Sequence, residues 1–160
     1  MTQPELLREL SAEAADRILA IGTTVGLPSE TVLFRFGESA DRLFIVTRGR
    51  ISLTLPMQIM GREENVLIEE RGPGQAISWS ALIPPHRLTL TATAATEAEV
   101  LVFPREALLE HFEKEPAVGY AVARHALEVA GQRLQVFQTM WLREMQRLVQ
   151  LRARAVRESA

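Results

Sequence analysis

The chain has 160 residues, 47% of them hydrophobic and 24% charged, which is typical of one soluble globular domain with one core. It has no cysteine, which excludes disulfides, thiolate metal sites and cysteine nucleophiles and fits a cytoplasmic location. No apolar run approaches the roughly 20 residues of a membrane span. The N-terminus lacks the basic and then apolar pattern of a signal peptide, so we expect no membrane association.

Charge is divided unevenly along the chain. Residues 1–116 hold 11 Lys and Arg against 17 Asp and Glu, a balance of −6, and residues 117–160 hold 7 Arg against 3 Glu, a balance of +4. A basic tail suits nucleic acid or a membrane surface, but these arginines are spread along the tail and form no dense cluster. We therefore interpret the tail as a solvated helix face.

The first predicted element is a helical lead-in at residues 1–22. Ser11 is a good N-cap for the run Ala12–Ile21, and Gly22 follows that run as a helix stop.

A β-rich region follows, in which short runs of β-branched and aromatic residues alternate with turn residues. The predicted strands are Thr31–Phe36, Leu43–Thr47, Arg50–Met60, Asn65–Glu70, Leu88–Ala95 and Glu99–Phe103. No helical stretch lies between these runs, which argues against a parallel α/β fold. The sequence therefore predicts a mainly β protein with flanking helices, in which residues 23–115 form a double-stranded β-helix or jelly-roll barrel of about eight strands.

The chain becomes helical again at Pro104, which suits a first-turn position, and Pro116 begins a long helix without further proline. Apolar residues in this helix recur with the seven-residue period of a coiled coil. The seam residues are Leu127, Ala130, Leu134, Phe137, Trp141, Leu148, Leu151 and Ala155, with Glu144 interrupting them. We expect residues 116–160 to form a homodimerisation helix, although Ala121–Leu134 also suits a helix packed on its own barrel.

One segment resembles a known family. The run Gly37–Ile51 reads GESADRLFIVTRGRI: a glycine and an acid, a small residue next to an acid, then an aromatic strand closed by a glycine. This pattern is similar to the opening of cyclic-nucleotide-binding domains, as in catabolite-activator-type regulators and kinase regulatory subunits. Gly72-Pro73-Gly74 resembles the turn before that family's phosphate-binding cassette, and Ala94–Phe103 resembles its last barrel strands. The resemblance spans about residues 5–142 and implies a regulatory sensor.

The cassette departs from the family's pattern. In the family a glycine precedes a glutamate that holds the ribose hydroxyl, and a later arginine holds the cyclic phosphate together with backbone N–H groups. Here Ser78 and Trp79 stand at those first two positions, and an indole cannot accept a hydrogen bond from a hydroxyl. Arg87, the arginine within reach of the cassette, stands one residue before the expected site, which Leu88 occupies. Arg87 therefore either points into the pocket or lies at its rim.

The resemblance implies a set of candidate ligand-binding residues around this cassette. The set is Gly74, Ile77, Ser78, Trp79, Ser80, Ala81, Leu82, Arg87, Leu88 and Thr89. Trp79 either stacks on a ligand ring or plugs the pocket as a core aromatic. Thr89 and the alternating threonines after it line a polar pocket or form the solvent face of a strand. The histidines have no metal-ligand spacing, so no metal is expected; haem ligation by His86 is the alternative, because some relatives of this fold bind haem.

These features predict a ligand-responsive regulatory module rather than an enzyme, since no Walker-type loop, nucleophile elbow or paired acid site is present. The missing carboxylate predicts weak or absent binding of cyclic AMP and cyclic GMP. The expected ligand is another small anionic or nucleotide-like molecule, and no cofactor is certain. The alternatives are a ligand-free structural or docking domain that acts on a separate effector protein, and a fragment of a transcription regulator. The chain ends at Ala160 without a helix-turn-helix, so we expect no sequence-specific DNA binding.

Overall fold

The computed structural model describes the backbone of residues 4–158 and the side chains of residues 4–154. The strands are β1 (Thr23–Leu27), β2 (Val32–Phe34), β3 (Arg42–Arg48), β4 (Ile51–Ile59), β5 (Arg62–Arg71), β6 (Ala76–Ile77), β7 (Thr91–Ala94) and β8 (Ala98–Pro104). The α-helices are α1 (Ala12–Leu19), α2 (Arg105–Lys114) and α3 (Pro116–Glu158). Two short 3-10 helices span Glu5–Leu7 and Trp79–Leu82. The predicted fold class, mainly β with flanking helices and a long last helix, is confirmed.

The strands form two four-stranded antiparallel sheets. One sheet has the order β1-β8-β3-β6, and the other has the order β2-β7-β4-β5. Apart from the β4–β5 pair, hydrogen-bonded neighbours are distant in sequence, as they are in jelly-roll folds. This topology brings the β2–β3 connection beside the segment that follows β6, and the candidate site lies there.

Successive side chains of β3 point to opposite faces of its sheet, and both faces are buried. Phe44 and Val46 belong to the buried cluster between the sheets, which also contains Ile51. Leu43 and Ile45 point to the opposite face. There they line an apolar space together with side chains from the first 3-10 helix, α1, β8, α2 and the start of α3. Fully burying one such aliphatic side chain stabilises the fold by about 1.5–3 kcal/mol.

The helical lead-in follows the predicted boundaries with one change. The Ser11 hydroxyl accepts a hydrogen bond from the Ala14 N–H at 3.2 Å, so the predicted N-cap is present. The helix ends at Leu19, two residues before the predicted end. Gly22 has a packing role as well, because a Cβ there would lie 2.8 Å from the Phe103 ring. The start of α2 also differs from the prediction. Pro104 is the N-cap residue that precedes α2, and the first turn begins at Arg105.

Four strand predictions need correction, and one of them is β5, which extends the predicted strand Asn65–Glu70 to Arg62–Arg71. The short strands β1 and β6 were not predicted, because β1 is largely exposed and β6 has only two residues, so neither shows a clear alternation. The run predicted as Leu88–Ala95 enters a sheet only at Thr91. The residues before Thr91 instead form an isolated bridge, in which Arg87 pairs with Ser39.

The chain divides into two compact units, one ending at His125 and the other beginning at Ala126. The first contains both sheets, α1, α2 and the first residues of α3. The second contains the rest of α3. The domain boundaries predicted at residues 22 and 115 stay predictions.

Candidate functional site

A cleft of about 220 Å³ opens beside the β2–β3 connection. Its lining residues are Leu33, Phe34, Glu38, Ser39, Ala40, Asp41, Arg42, Phe44, Ser78 and Leu88. The apolar members come mainly from strands, whereas the polar members come from the β2–β3 connection, from the first residue of β3 and from the residue after β6. This mixture is typical of small-molecule sites, where apolar walls hold the ligand and a few polar groups orient it.

Backbone hydrogen bonds hold two loops together at this cleft. The N–H of Gly37 donates to the carbonyl of Leu88 at 2.8 Å, and the N–H of Leu88 donates to the carbonyl of Glu38 at 2.9 Å. The N–H of Ala40 donates to the carbonyl of His86 at 2.7 Å. These hydrogen bonds therefore fix the cassette segment to the β2–β3 connection.

Ser78 is the cassette residue that the structure places in the cleft wall together with Leu88. Its backbone is left-handed, with φ of 63° and ψ of 34°, a conformation that favours glycine. Its hydroxyl donates to the Arg42 carbonyl at 2.7 Å. The position where the family carries glycine thus keeps a glycine-like backbone, and the serine side chain links the cassette to β3.

Trp79 begins the 3-10 helix that follows Ser78, and its side chain is half-buried. It is not one of the residues that line the cleft. Neither stacking on a ligand nor plugging of the pocket is supported by this position, and the role of Trp79 stays a prediction. The rest of that helix contributes Ala81 to the buried core, and Ser80 and Leu82 are half-buried beside it.

The remaining candidate residues do not line the cleft. Ile77 is fully buried in the core cluster. Gly74 sits in the turn before β6 with a φ of 84°. Thr89 is exposed, and Thr91, two residues later, accepts a hydrogen bond from the Phe36 N–H at 3.0 Å.

Arg87 lies at the rim of the cleft region. Its side chain is exposed, and its guanidinium Nη1 donates to the Gly37 carbonyl at 3.0 Å. The guanidinium therefore already has a backbone partner in the β2–β3 connection.

The charges of the cleft come from three side chains. Glu38 accepts a hydrogen bond from the Arg35 N–H at 2.9 Å. Arg42 Nε lies 3.7 Å from the Asp41 carboxylate, and both side chains are mostly exposed. Because solvent weakens an exposed ion pair, the Arg42–Asp41 pair contributes little to stability. The lining thus offers two carboxylates as hydrogen-bond acceptors and the Arg42 guanidinium as a charged donor.

One charged pair of the barrel was missed by the sequence analysis. Arg71, at the end of β5, is only 7% exposed, and its Nη2 donates to the Glu69 carboxylate at 2.8 Å. Arginine is seldom buried unless paired. The predicted strand Asn65–Glu70 ended one residue too early, and a strand that included Arg71 would have placed it on the same face as Glu69.

His86 contacts the backbone of the cassette. Its Nδ1 lies 3.4 Å from the Ser80 carbonyl oxygen. Within the described part of the chain, no group of three or more His, Asp or Glu side chains is arranged to hold a metal ion.

The predicted seam residues lie in the second unit, and most are exposed there. The exposed members are Leu127, Leu134, Phe137, Trp141, Leu148 and Leu151, with Trp141 at 63%. Ala130 is partly buried, and the side chain of Ala155 lies outside the described residues.

Comparison with known proteins gives the family. The model of the cyclic nucleotide-binding domain family matches residues 24–115, more than half of the chain. The chain belongs to this family. The match covers the region predicted as the barrel, including the segment that carries the sequence resemblance and the cassette. A search of curated proteins found no match.

Solved structures of this family share the fold. The N-terminal domain of a transcriptional regulator from Streptomyces coelicolor A3(2) is 29% identical, with a TM-score of 0.67 over 78% of this chain and 86% of that one. The catabolite activator protein of Thermus thermophilus is 23% identical, with a TM-score of 0.69 over 82% of this chain and 58% of that one. The regulatory domain of Toxoplasma gondii PKA, crystallised with cAMP, is 21% identical, with a TM-score of 0.56 over 64% of this chain and 38% of that one.

This cyclic-nucleotide-binding domain is thus similar to regulatory proteins, which supports a regulatory sensor module. No helix among its described residues has the length and apolarity needed to cross a bilayer.

Proposed function

We propose that this chain is a cytoplasmic regulatory module, not an enzyme, whose barrel at residues 23–115 binds a small anionic or nucleotide-like ligand. Cyclic AMP and cyclic GMP bind it weakly or not at all. The observation that carries this proposal is the open cleft, lined by Ser78 and not filled by Trp79. A ligand-free docking domain that had lost its pocket would not need such a cleft.

Weak binding of ordinary cyclic nucleotides follows from the altered cassette. Trp79 supplies no acceptor for a ribose hydroxyl. Arg87 donates to the Gly37 carbonyl and would have to give up that bond to meet a phosphate. Losing one hydrogen bond to a charged group costs about 1.5–3 kcal/mol, or roughly tenfold to hundredfold in affinity.

A thermal-shift screen followed by calorimetry tests the proposal. The panel contains cyclic AMP, cyclic GMP, cyclic di-GMP, linear nucleotides and small organic phosphates. We expect at least one compound to raise Tm and bind saturably, with cyclic AMP not among the tightest. A flat response across the panel would contradict a sensor role and favour the ligand-free docking domain.

We further propose that residues 116–160 form a homodimer through the seam residues. The module would then act on a separate effector protein as its downstream partner. The heptad spacing and the exposure of Trp141 and its seam neighbours support this. Burying such a row of apolar side chains against a second copy would remove them from water.

Light scattering with two matched variants tests the dimer. Trp141→Glu places a charge in the seam, whereas Gln146→Glu places the same charge five positions later, off the seam. We expect the wild type and Gln146→Glu to have the mass of a dimer and Trp141→Glu to shift toward monomer. Equal masses for the two variants would contradict the proposed seam.

A further inference from the structure

Arg42, the first residue of β3, supplies the positive charge in the lining of the cleft. Side chains two residues apart on a strand share a face, so Arg42 lies on the same face of β3 as Phe44. Phe44 belongs to the core cluster between the sheets, and both residues line the cleft. The guanidinium therefore belongs to the same wall of the cleft as a buried aromatic ring.

Two contacts hold the backbone of Arg42 in place. Its carbonyl accepts the hydrogen bond from the Ser78 hydroxyl at 2.7 Å, and across the sheet it pairs with Pro104 of β8. The side chain thus starts from a fixed point between the cassette and β8. A binding group on such a rigid element is positioned more precisely than one on a loop.

The guanidinium of Arg42 has donors that the protein leaves unused. Within residues 4–154 it makes no hydrogen bond. Its ion-pair partner, Asp41, lies 3.7 Å from Nε, beyond hydrogen-bonding distance, and the Arg42 side chain is 59% exposed. Because arginine presents its N–H groups as a planar fork, it can bind an oxyanion through two parallel hydrogen bonds. An anion that enters the cleft can reach this fork by displacing water.

Two other arginines near the cleft are already engaged. Arg87 donates to the Gly37 carbonyl at 3.0 Å, and Arg105 donates to the Ala40 carbonyl at 3.1 Å. Neither arginine lines the cleft. Each would lose a hydrogen bond within the protein by turning toward an anion, whereas Arg42 would lose none.

We propose that Arg42 binds the anionic group of the ligand, a phosphate or carboxylate, in the cleft. The assignment rests on the proposed sensor function and moves the anion site from the cassette arginine to the start of β3. Asp41 then competes with the ligand for the guanidinium, because it is the carboxylate beside Arg42 in the same lining.

Inorganic phosphate is the probe, because it isolates the anionic group from base and sugar. The backbone amide resonances of Arg42 and Ser78 are followed by ¹H–¹⁵N NMR, with chloride at equal ionic strength as the reference. We expect phosphate to move both resonances saturably in the wild type. In Arg42→Gln the Ser78 resonance should stay in place. For any compound that binds in the panel screen, Arg42→Gln should lose roughly tenfold to hundredfold in affinity.

The other end of β3 supplies matched controls. Arg48 is the last residue of that strand, donates to Glu97 at 2.9 Å, and is 65% exposed. Arg48→Gln removes the same charge from the same strand outside the cleft lining, so it should keep wild-type affinity. Asp41→Asn removes the competing carboxylate and should bind phosphate more tightly than Glu97→Gln, which removes an equal charge elsewhere. Misfolding cannot produce such a gain.

The outcomes separate the two proposals. If a panel compound binds wild type and Arg42→Gln equally well, Arg42 is not the anion site but the sensor function stands. The same conclusion follows if a panel compound binds while phosphate moves neither resonance, or moves the Ser78 resonance equally in Arg42→Gln. Equal affinities of Asp41→Asn and Glu97→Gln would contradict the competition by Asp41. If neither phosphate nor any panel compound binds, the sensor function fails and the Arg42 assignment fails with it.

Discussion

At the scale of single residues, the altered cassette depends on Ser78. Its left-handed backbone turns the chain from β6 into the 3-10 helix, and its hydroxyl fastens that turn to the Arg42 carbonyl. The serine therefore combines a conformational cost with a hydrogen bond that offsets it. A left-handed backbone costs an ordinary residue about 1–2 kcal/mol, and a typical hydrogen bond contributes about 0.5–1.5 kcal/mol.

Two substitutions of Ser78 separate these terms. Ser78→Ala loses the hydrogen bond and keeps the strain, so its free energy of unfolding should fall by about 0.5–1.5 kcal/mol. Ser78→Gly loses the same bond but removes the strain, so it should be the more stable of the two variants. Urea denaturation followed by circular dichroism measures both. If Ser78→Ala matched the wild type, the hydroxyl would not be fastening the turn.

Glycines in two turns provide a second residue-scale prediction. Gly49 and Gly61 both have left-handed backbones, with φ of 76° and 78°. A Cβ at Gly49 would lie 2.3 Å from the Glu97 carbonyl oxygen, whereas a Cβ at Gly61 would meet nothing within 4 Å. Gly61→Ala should therefore cost only the strain of about 1–2 kcal/mol, and Gly49→Ala should cost more. An equal fall in Tm for the two variants would show that the β3–β4 turn rearranges to accommodate the methyl group.

At the scale of elements, an ion pair joins α1 to the connection between α2 and α3. Arg17 Nε donates to Glu115 Oε1 at 2.9 Å, and Arg17 Nη2 donates to Glu115 Oε2 at 2.7 Å. The hydrogen bonds from Arg17 lower the pKa of the Glu115 carboxyl, and the charge of Arg17 adds to this effect. The lead-in and the start of α3 are thus linked through the charged form of Glu115.

This link predicts an acid-dependent contribution to stability. A carboxyl with a lowered pKa in the folded state stabilises the fold above its ordinary pKa, and that contribution disappears as pH falls through the folded-state value. Arg17→Met should therefore be less stable than the wild type near neutral pH, and the two should converge in acid. Denaturation at several pH values measures the gap.

The control for this prediction is a Glu115→Gln background. In that background the effect of Arg17→Met should lose its dependence on pH, because the titrating partner is gone. A gap between wild type and Arg17→Met that stayed constant into acid would mean that the pair does not carry the effect.

At the scale of the whole molecule, alternation and turn residues were enough to predict the barrel. The hydrophobic alternation of β3 and β4 and the glycine after β3 are local signals, and they placed those strands within one residue at each end. The long helix followed from Pro116 and its heptad period. The seam, and with it the dimer, stays a prediction.

The site was less predictable, because it depends on contacts between distant segments. The position of Arg87 at the rim follows from its pairing with the β2–β3 connection, which lies some 50 residues away, and no local pattern encodes it. Trp79 lies outside the cleft lining, in the 3-10 helix that follows the left-handed Ser78. Arg71 was overlooked because the predicted strand ended at Glu70, and a charged residue outside a strand is usually assigned to the solvent.

This family member has an open cleft but lacks the carboxylate that would hold a ribose. Calorimetric titration with cyclic AMP, on the wild type and on Ser78→Gly/Trp79→Glu, measures the effect of that loss. We expect no micromolar binding by the wild type and at least about tenfold tighter binding by the double variant, in which the glutamate acceptor is restored. Micromolar or tighter binding of cyclic AMP by the unaltered chain would contradict it.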